Sequence, residues 1–294
     1  MFELILNKVI PVNLIFFLGY LLKKTGALKE EDGRVFLKGM FYAFIPAILF
    51  QSVRKAEFKA EFILYPLVII IYQVFMFILG KLVTSRMKMS SDKKIVIRGS
   101  LIIMNSGFVV PFYIAFYGVE NMWRMGLYDF GNSLMVFVLV YSMFLKLELK
   151  EALKSLGSPP IVAIVLGIIA GKFGIPVPEF IDSTLNQIGN LVGPSIMLGL
   201  GLYFTPSLKN IKISLLVVGL KIVLGIGIGL LLIQILPFDS LSNKTVLYMT
   251  ASPVGANILT FAVLSKMDTR FPSEIVSLSI VINLFLIPLL FILV

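Results

Sequence analysis

Two apolar stretches of this 294-residue chain are interrupted by groups able to bind a ligand. The first reads Asn105-Ser106-Gly107-Phe108-Val109-Val110-Pro111, the second Ser252-Pro253-Val254-Gly255-Ala256-Asn257. Proline removes an amide and clashes with the preceding turn, so Pro111 and Pro253 each release carbonyls from a helix. Gly107 and Gly255 let the chain bend and another backbone approach. Asn105, Ser106 and Asn257 carry polar groups that can satisfy the loosened backbone or contact a ligand. In hydrocarbon such freed groups cost several kcal/mol each unless protein, water or ligand pairs them. Half-helix N-termini present amides and the positive end of a dipole, which favours carboxylates. The plain structural alternative is a pair of proline kinks whose asparagines bond to neighbouring helices.

Two charges inside apolar runs extend the candidate set. Asp129 is followed at i+3 and i+4 by Asn132 and Ser133, which share its helical face. A charge at the bilayer centre costs at least about 2.5–3.5 kcal/mol, so it faces a cavity or a partner. Asp129 therefore reads as a group that takes up a coupling proton or helps hold Na⁺, or as a carboxylate paired with Arg124. Lys221, also at mid-span, reads as an attractor for an anionic substrate or a partner of Asp129, or as a snorkelling side chain. Asn186, Gln187 and Asn190, with Gly193 and Pro194, favour interhelical hydrogen bonding over a place on a substrate path. Gly225-x-Gly227-x-Gly229 lies inside an apolar run, where it signals close helix packing rather than a nucleotide loop.

The elements that hold these residues follow from composition. The chain is 58% hydrophobic and only 14% charged, the profile of an integral membrane protein. With no cysteine and no histidine it lacks thiol chemistry, the usual general base and the commonest metal ligand. No catalytic set, paired acidic motif or Walker-type loop is present, so no enzyme and no resident metal or cofactor is expected. Ten spans fit, near 3–22, 35–53, 61–83, 96–118, 122–145, 159–175, 182–204, 211–236, 245–265 and 273–293. Loops one, three, five, seven and nine hold 18 of the 26 Lys and Arg residues and the even loops six, placing both termini outside the cytoplasm. The net charge of +10 is thus a topology signal, not a nucleic-acid footprint.

A shift of 148 residues superposes Pro11 on Pro159, Gly19 on Gly167, Gly26 on Gly174, Pro46 on Pro194 and Gly107 on Gly255. The expected organisation is therefore a first five-helix repeat over 1–145, a short cytoplasmic linker over 146–158 and a second repeat over 159–294. Five being odd, the second repeat is inverted, and the two interrupted stretches become its matched fourth elements.

The Asn105-Ser106-Gly107-Phe108…Pro111 segment followed by Ala251-Ser252-Pro253-Val254-Gly255-Ala256-Asn257 resembles the auxin efflux carrier family, which includes plant PIN carriers and bacterial malate or malonate permeases. The resemblance covers essentially the whole chain. It implies an all-α polytopic membrane protein in which helices four and nine break and cross at the membrane centre, an architecture related to sodium/proton antiporters and bile-acid symporters. It further implies a scaffold of helices 1, 2, 6 and 7 and a mobile transport bundle of helices 3–5 and 8–10. One departure is the short linker, where plant carriers have a long hydrophilic loop, and this leaves auxin specificity and plant-style regulation open. The combined expectation is a secondary transporter of small organic anions working by elevator-type alternating access. Its substrate site comprises Asn105, Ser106, Gly107, Pro111, Pro253, Gly255 and Asn257, with Asp129, Asn132 and Lys221 as charge and coupling candidates. The expected partners are the anion, the bilayer and a coupling H⁺ or Na⁺, with a homodimer left open. A channel and a Na⁺-coupled bile-acid-symporter-like carrier are the alternatives.

Overall fold

Thirteen α-helical elements and a short 3-10 helix at Ala60–Ile63, none of them paired into a sheet, make up the described part of the computed structural model, which covers residues 2–57, 59–145, 157–206 and 209–294. They are α1 (Phe2–Lys24), α2 (Glu30–Lys55), α3 (Leu64–Ser85), α4 (Ser91–Ile102), α5 (Ser106–Tyr117), α6 (Val119–Phe144) and α7 (Pro159–Lys172). Then follow α8 (Glu179–Asn190), α9 (Val192–Tyr203), α10 (Ile211–Ile235), α11 (Ser240–Thr250), α12 (Asn257–Leu264) and α13 (Arg270–Leu293). Among the described residues six helices, α1, α2, α3, α6, α10 and α13, are long and apolar enough to cross a membrane. Apart from Gly157 and Ser158, the expected linker lies outside the described residues.

Prolines mark several of the places where these helices deform. Turns of π-helix precede Pro11 and Pro46, at Ile5–Val9 and Met40–Phe44, a widened ladder that accommodates the ring and the missing amide. In α13 Pro288 cannot donate to the Leu284 carbonyl, and Asn13 Nδ2 of α1 supplies that bond at 3.1 Å. Residues 182–204, expected as one span, form two helices joined at Leu191, because Pro194 cannot donate to the Asn190 carbonyl.

Small residues set the helix contacts. A methyl group on Gly19 of α1 would run into the Leu198 carbonyl of α9. On Gly167 of α7 it would meet the Phe50 carbonyl of α2 at 3.0 Å. Gly19 and Gly167 differ by 148 in number, and so do Phe50 and Leu198. Polar ties at the helix ends follow the same spacing. Arg34 Nε donates to Tyr203 Oη at 2.8 Å, while Lys55 reaches Asp182 at 3.4 Å, and 148 separates Arg34 from Asp182 and Lys55 from Tyr203. The glycine run in α10 divides by function. Gly225 and Gly229 press on Thr250 of α11, whereas a methyl group on Gly227 would meet open space.

Candidate functional site

The two interruptions are brought together. Met104 and Val254 form an antiparallel bridge, with Asn105 N donating to the Pro253 carbonyl at 3.0 Å and Gly255 N to the Ile103 carbonyl at 3.2 Å. Two stretches of broken helix thus satisfy part of each other's backbone, which burial demands. Asn105 then starts α5 as its N-cap, its Oδ1 accepting from Phe108 N at 3.1 Å. Val254 N is held by Ser279 Oγ of α13 at 2.9 Å.

The end of α4 is closed by two side chains from neighbouring helices. Lys221 Nζ of α10, fully buried, donates to the carbonyls of Leu101 and Ile103 at 3.0 Å each. Gln73 Nε2 of α3, equally buried, donates to the Ile102 carbonyl between them at 3.1 Å. A cation suits this place, where the helix dipole is negative and the last carbonyls have no intrahelical donor. Sequence reasoning passed over Gln73. The signal was present, because Gln73 and Lys221 are separated by the same 148 residues as Gly107 and Gly255.

Beside the paired breaks lies a cavity of about 420 Å³. Asn105, Ser106, Gly107, Asp129, Gly255 and Asn257 line it, as do Asn132 and Ser133, so most of the expected site residues border one cavity. The N-termini of α5 and α12 both reach it through Ser106 and Asn257, and the first amides of each helix have no acceptor within that helix. The remaining walls are largely apolar, including Phe41, Phe130, Ile161 and Phe261. The lining extends to Leu37 and Ser158, beside loops one and five.

Asp129 Oδ1 accepts from Asn132 Nδ2 at 2.8 Å, and its carboxylate also interacts with the Ser106 side chain. Asn132 Oδ1 accepts in turn from Gln73 Nε2 at 2.8 Å. One amide of α3 therefore links the end of α4 to the acid of α6.

Several expected pairings are corrected. Arg124 does not meet Asp129. Its Nη2 pairs with Asp239 at 3.3 Å, Nε donates to Ser242 and Nη1 to Asn121, all at the far end of α6. Among the described residues no ion pair joins Lys221 to Asp129, since the ammonium is engaged by the two α4 carbonyls. Lys221, Pro111 and Pro253 do not line the large cavity. Pro111 instead borders a smaller one of about 210 Å³ with Pro11, Asn190, Gly193 and Pro194. Asn186, Gln187 and Asn190 are exposed and make no hydrogen bond among the described residues, in place of the expected interhelical bonds.

The same whole-chain pattern is found in other proteins. An uncharacterized transporter of Methanothermobacter thermautotrophicus is 25% identical over 96% of this chain and 95% of its own length. A second, from Methanocaldococcus jannaschii, is 24% identical over 97% of each chain. The family described as membrane transport protein matches residues 4–145 and 139–291. This multi-pass chain, with two broken helices paired beside a cavity, belongs to that membrane transport protein family, the one that its likeness to the auxin efflux carriers pointed to.

Proposed function

We propose that the protein is a carrier of small organic anions that binds its substrate in the 420 Å³ cavity and works by elevator-type alternating access. The observation that carries this reading is the meeting of two helix N-termini, α5 and α12, at one cavity beside the paired breaks. The Phe108, Ile258 and Leu259 amides are taken by Asn105, Gly255 and Ala256, which leaves the opening amides of Ser106, Gly107 and Asn257 as donors for a carboxylate without a cationic side chain. The apolar walls suit a short aliphatic or aromatic body.

In this reading the chain is two inverted five-helix repeats with ten spans. α4–α5 and α11–α12 form the crossing fourth and ninth, and α8–α9 forms the seventh. The repeated contacts of Gly19 with Leu198 and of Gly167 with Phe50 support the inversion. Spans 1, 2, 6 and 7 are the scaffold, and spans 3–5 and 8–10 the moving bundle. Both termini lie outside. The cavity's extension to Leu37 and Ser158, next to two of the odd-numbered loops that carry most of the basic residues, supports an inward-facing state.

Counter-flow in proteoliposomes tests the reading, using labelled malonate and indole-3-acetate. A carrier gives saturable exchange accelerated by substrate on the opposite side. Ionic conductance without exchange supports a channel instead, and exchange that needs Na⁺ supports the bile-acid-symporter-like alternative.

A further inference from the structure

Among the described residues lining the large cavity, Asp129 is the only one whose side chain ionises. No lysine, arginine or tyrosine is among the described residues of this wall. The groups facing its carboxylate are neutral, namely Ser106 from α5 and Asn132 from its own helix, with Gln73 of α3 behind Asn132. From α2, α7, α9 and α12 the lining is apolar apart from Gly255 and Ala256 backbone and the Asn257 and Thr260 side chains, with Ser158 just before α7. Lys221 is engaged elsewhere. An organic anion entering this space therefore meets a second negative charge. At about 6 Å and an effective dielectric near 20, that repulsion weakens binding roughly a hundredfold.

Resting on the organic-anion reading above, we propose that Asp129 takes up one proton for each carboxylate substrate bound, so that the protein is a proton–organic anion symporter. The proton comes from the solution facing the cavity and converts the Asp129 carboxylate to a carboxylic acid. Its new O–H donates to the substrate carboxylate, which stays ionised. When the substrate leaves on the other side, the proton leaves with it and Asp129 is an anion again. A monocarboxylate plus its proton carries no net charge, so its transport is electroneutral.

Gln73 sets the starting point of this exchange. The Ile102 carbonyl can only accept, so the Gln73 atom that meets it is the amide nitrogen. The same nitrogen meets Asn132, whose facing atom must be Oδ1. Asn132 therefore presents its NH₂, a donor, to the Asp129 carboxylate. Gln73 is a positioning residue.

Calorimetric titration of the purified full-length protein decides the matter, with malonate and indole-3-acetate as probes. Two buffers of different ionisation enthalpy count protons over about pH 6.5 to 8.5, where carboxylate probes are ionised. About one proton should be taken up per probe bound, with affinity falling about tenfold per pH unit above the Asp129 titration. D129N should bind with no proton uptake and no pH dependence. Gln73→Leu frees Asn132 to rotate and accept from the protonated acid, so proton uptake and the affinity profile should move to higher pH. Carboxylate binding to wild type without proton uptake overturns the coupling while the anion reading stands, and so does uptake that persists in D129N. Absence of binding of both probes across the range overturns the anion reading itself, and the coupling with it. The wild-type proton count is decisive even if D129N fails to fold.

Discussion

Gln73 and Lys221, 148 residues apart in sequence, reach consecutive carbonyls at one helix end, Gln73 to Ile102 and Lys221 to Leu101 and Ile103. Equivalent positions on α3 and α10 thus serve the same break from two sides with different chemistry. The amide continues into the Asn132–Asp129 chain, whereas the ammonium ends on backbone. The asymmetry places the Asp129 carboxyl on one side of the break and the Lys221 amine on the other.

Lys221→Met should act on stability first. It takes the Lys221 donor from the buried Leu101 carbonyl, at a cost on the order of 1–3 kcal/mol, and leaves the Ile103 carbonyl with the Gly255 amide. The melting temperature in detergent should fall by several degrees, at roughly 2–4 °C per kcal/mol for a chain of this class. Thermal unfolding with and without a carboxylate probe checks it. Lost binding with unchanged melting would mean that Lys221 touches substrate directly.

Asn105→Ala and Asn257→Ala should separate structure from binding. Asn105 caps α5, so its loss costs about 0.5–2 kcal/mol in addition to any ligand contact. Asn257 is exposed to the cavity and makes no hydrogen bond among the described residues, so its truncation should leave melting unchanged and weaken probe binding. Equal transport rates in wild type and both variants would remove the paired breaks from the substrate site.

The glycine run of α10 makes a graded prediction. Gly225→Ala pushes a methyl group into the Thr250 backbone and should cost about 1–3 kcal/mol. Gly227→Ala meets open space and should be neutral or stabilising by up to about 1 kcal/mol through helix propensity. Denaturation of the two variants side by side is the check. A destabilised Gly227→Ala would point to a partner surface on that face.

Asp239 sets an acid limit on the α6–α11 junction. Burial alone would raise its pKa, but hydrogen bonds from the Ser242 side chain and amide, together with the Arg124 guanidinium, outweigh it and hold the group below the usual carboxylate value. A group depressed in the folded state contributes stability above its unfolded pKa and loses it as pH falls through the folded one. Melting temperature should therefore decline below about pH 4, and Asp239→Asn should flatten that decline. The carboxylate is about half exposed, so the effect should be modest and should shrink in high salt.

Much of this protein was legible without coordinates. Composition determined a membrane protein, because a chain so poor in charge cannot cover itself in water. The prolines and glycines at 105–111 and 252–257 marked where helices break, because a missing amide and a missing Cβ act locally. The 148-residue spacing pointed to paired positions, and the contacts of Gly19, Gly167, Arg34 and Asp182 fall in that register. Only the tertiary structure decided who partners whom. It turned Lys221 onto α4 carbonyls, took Arg124 away to Asp239, and assembled Gln73, Asn132 and Asp129 into one chain beside the cavity. Charge and spacing state which groups need a partner at membrane depth. Which partner each one finds depends on helix rotation and close approach, set by small residues and carbonyls far away in sequence.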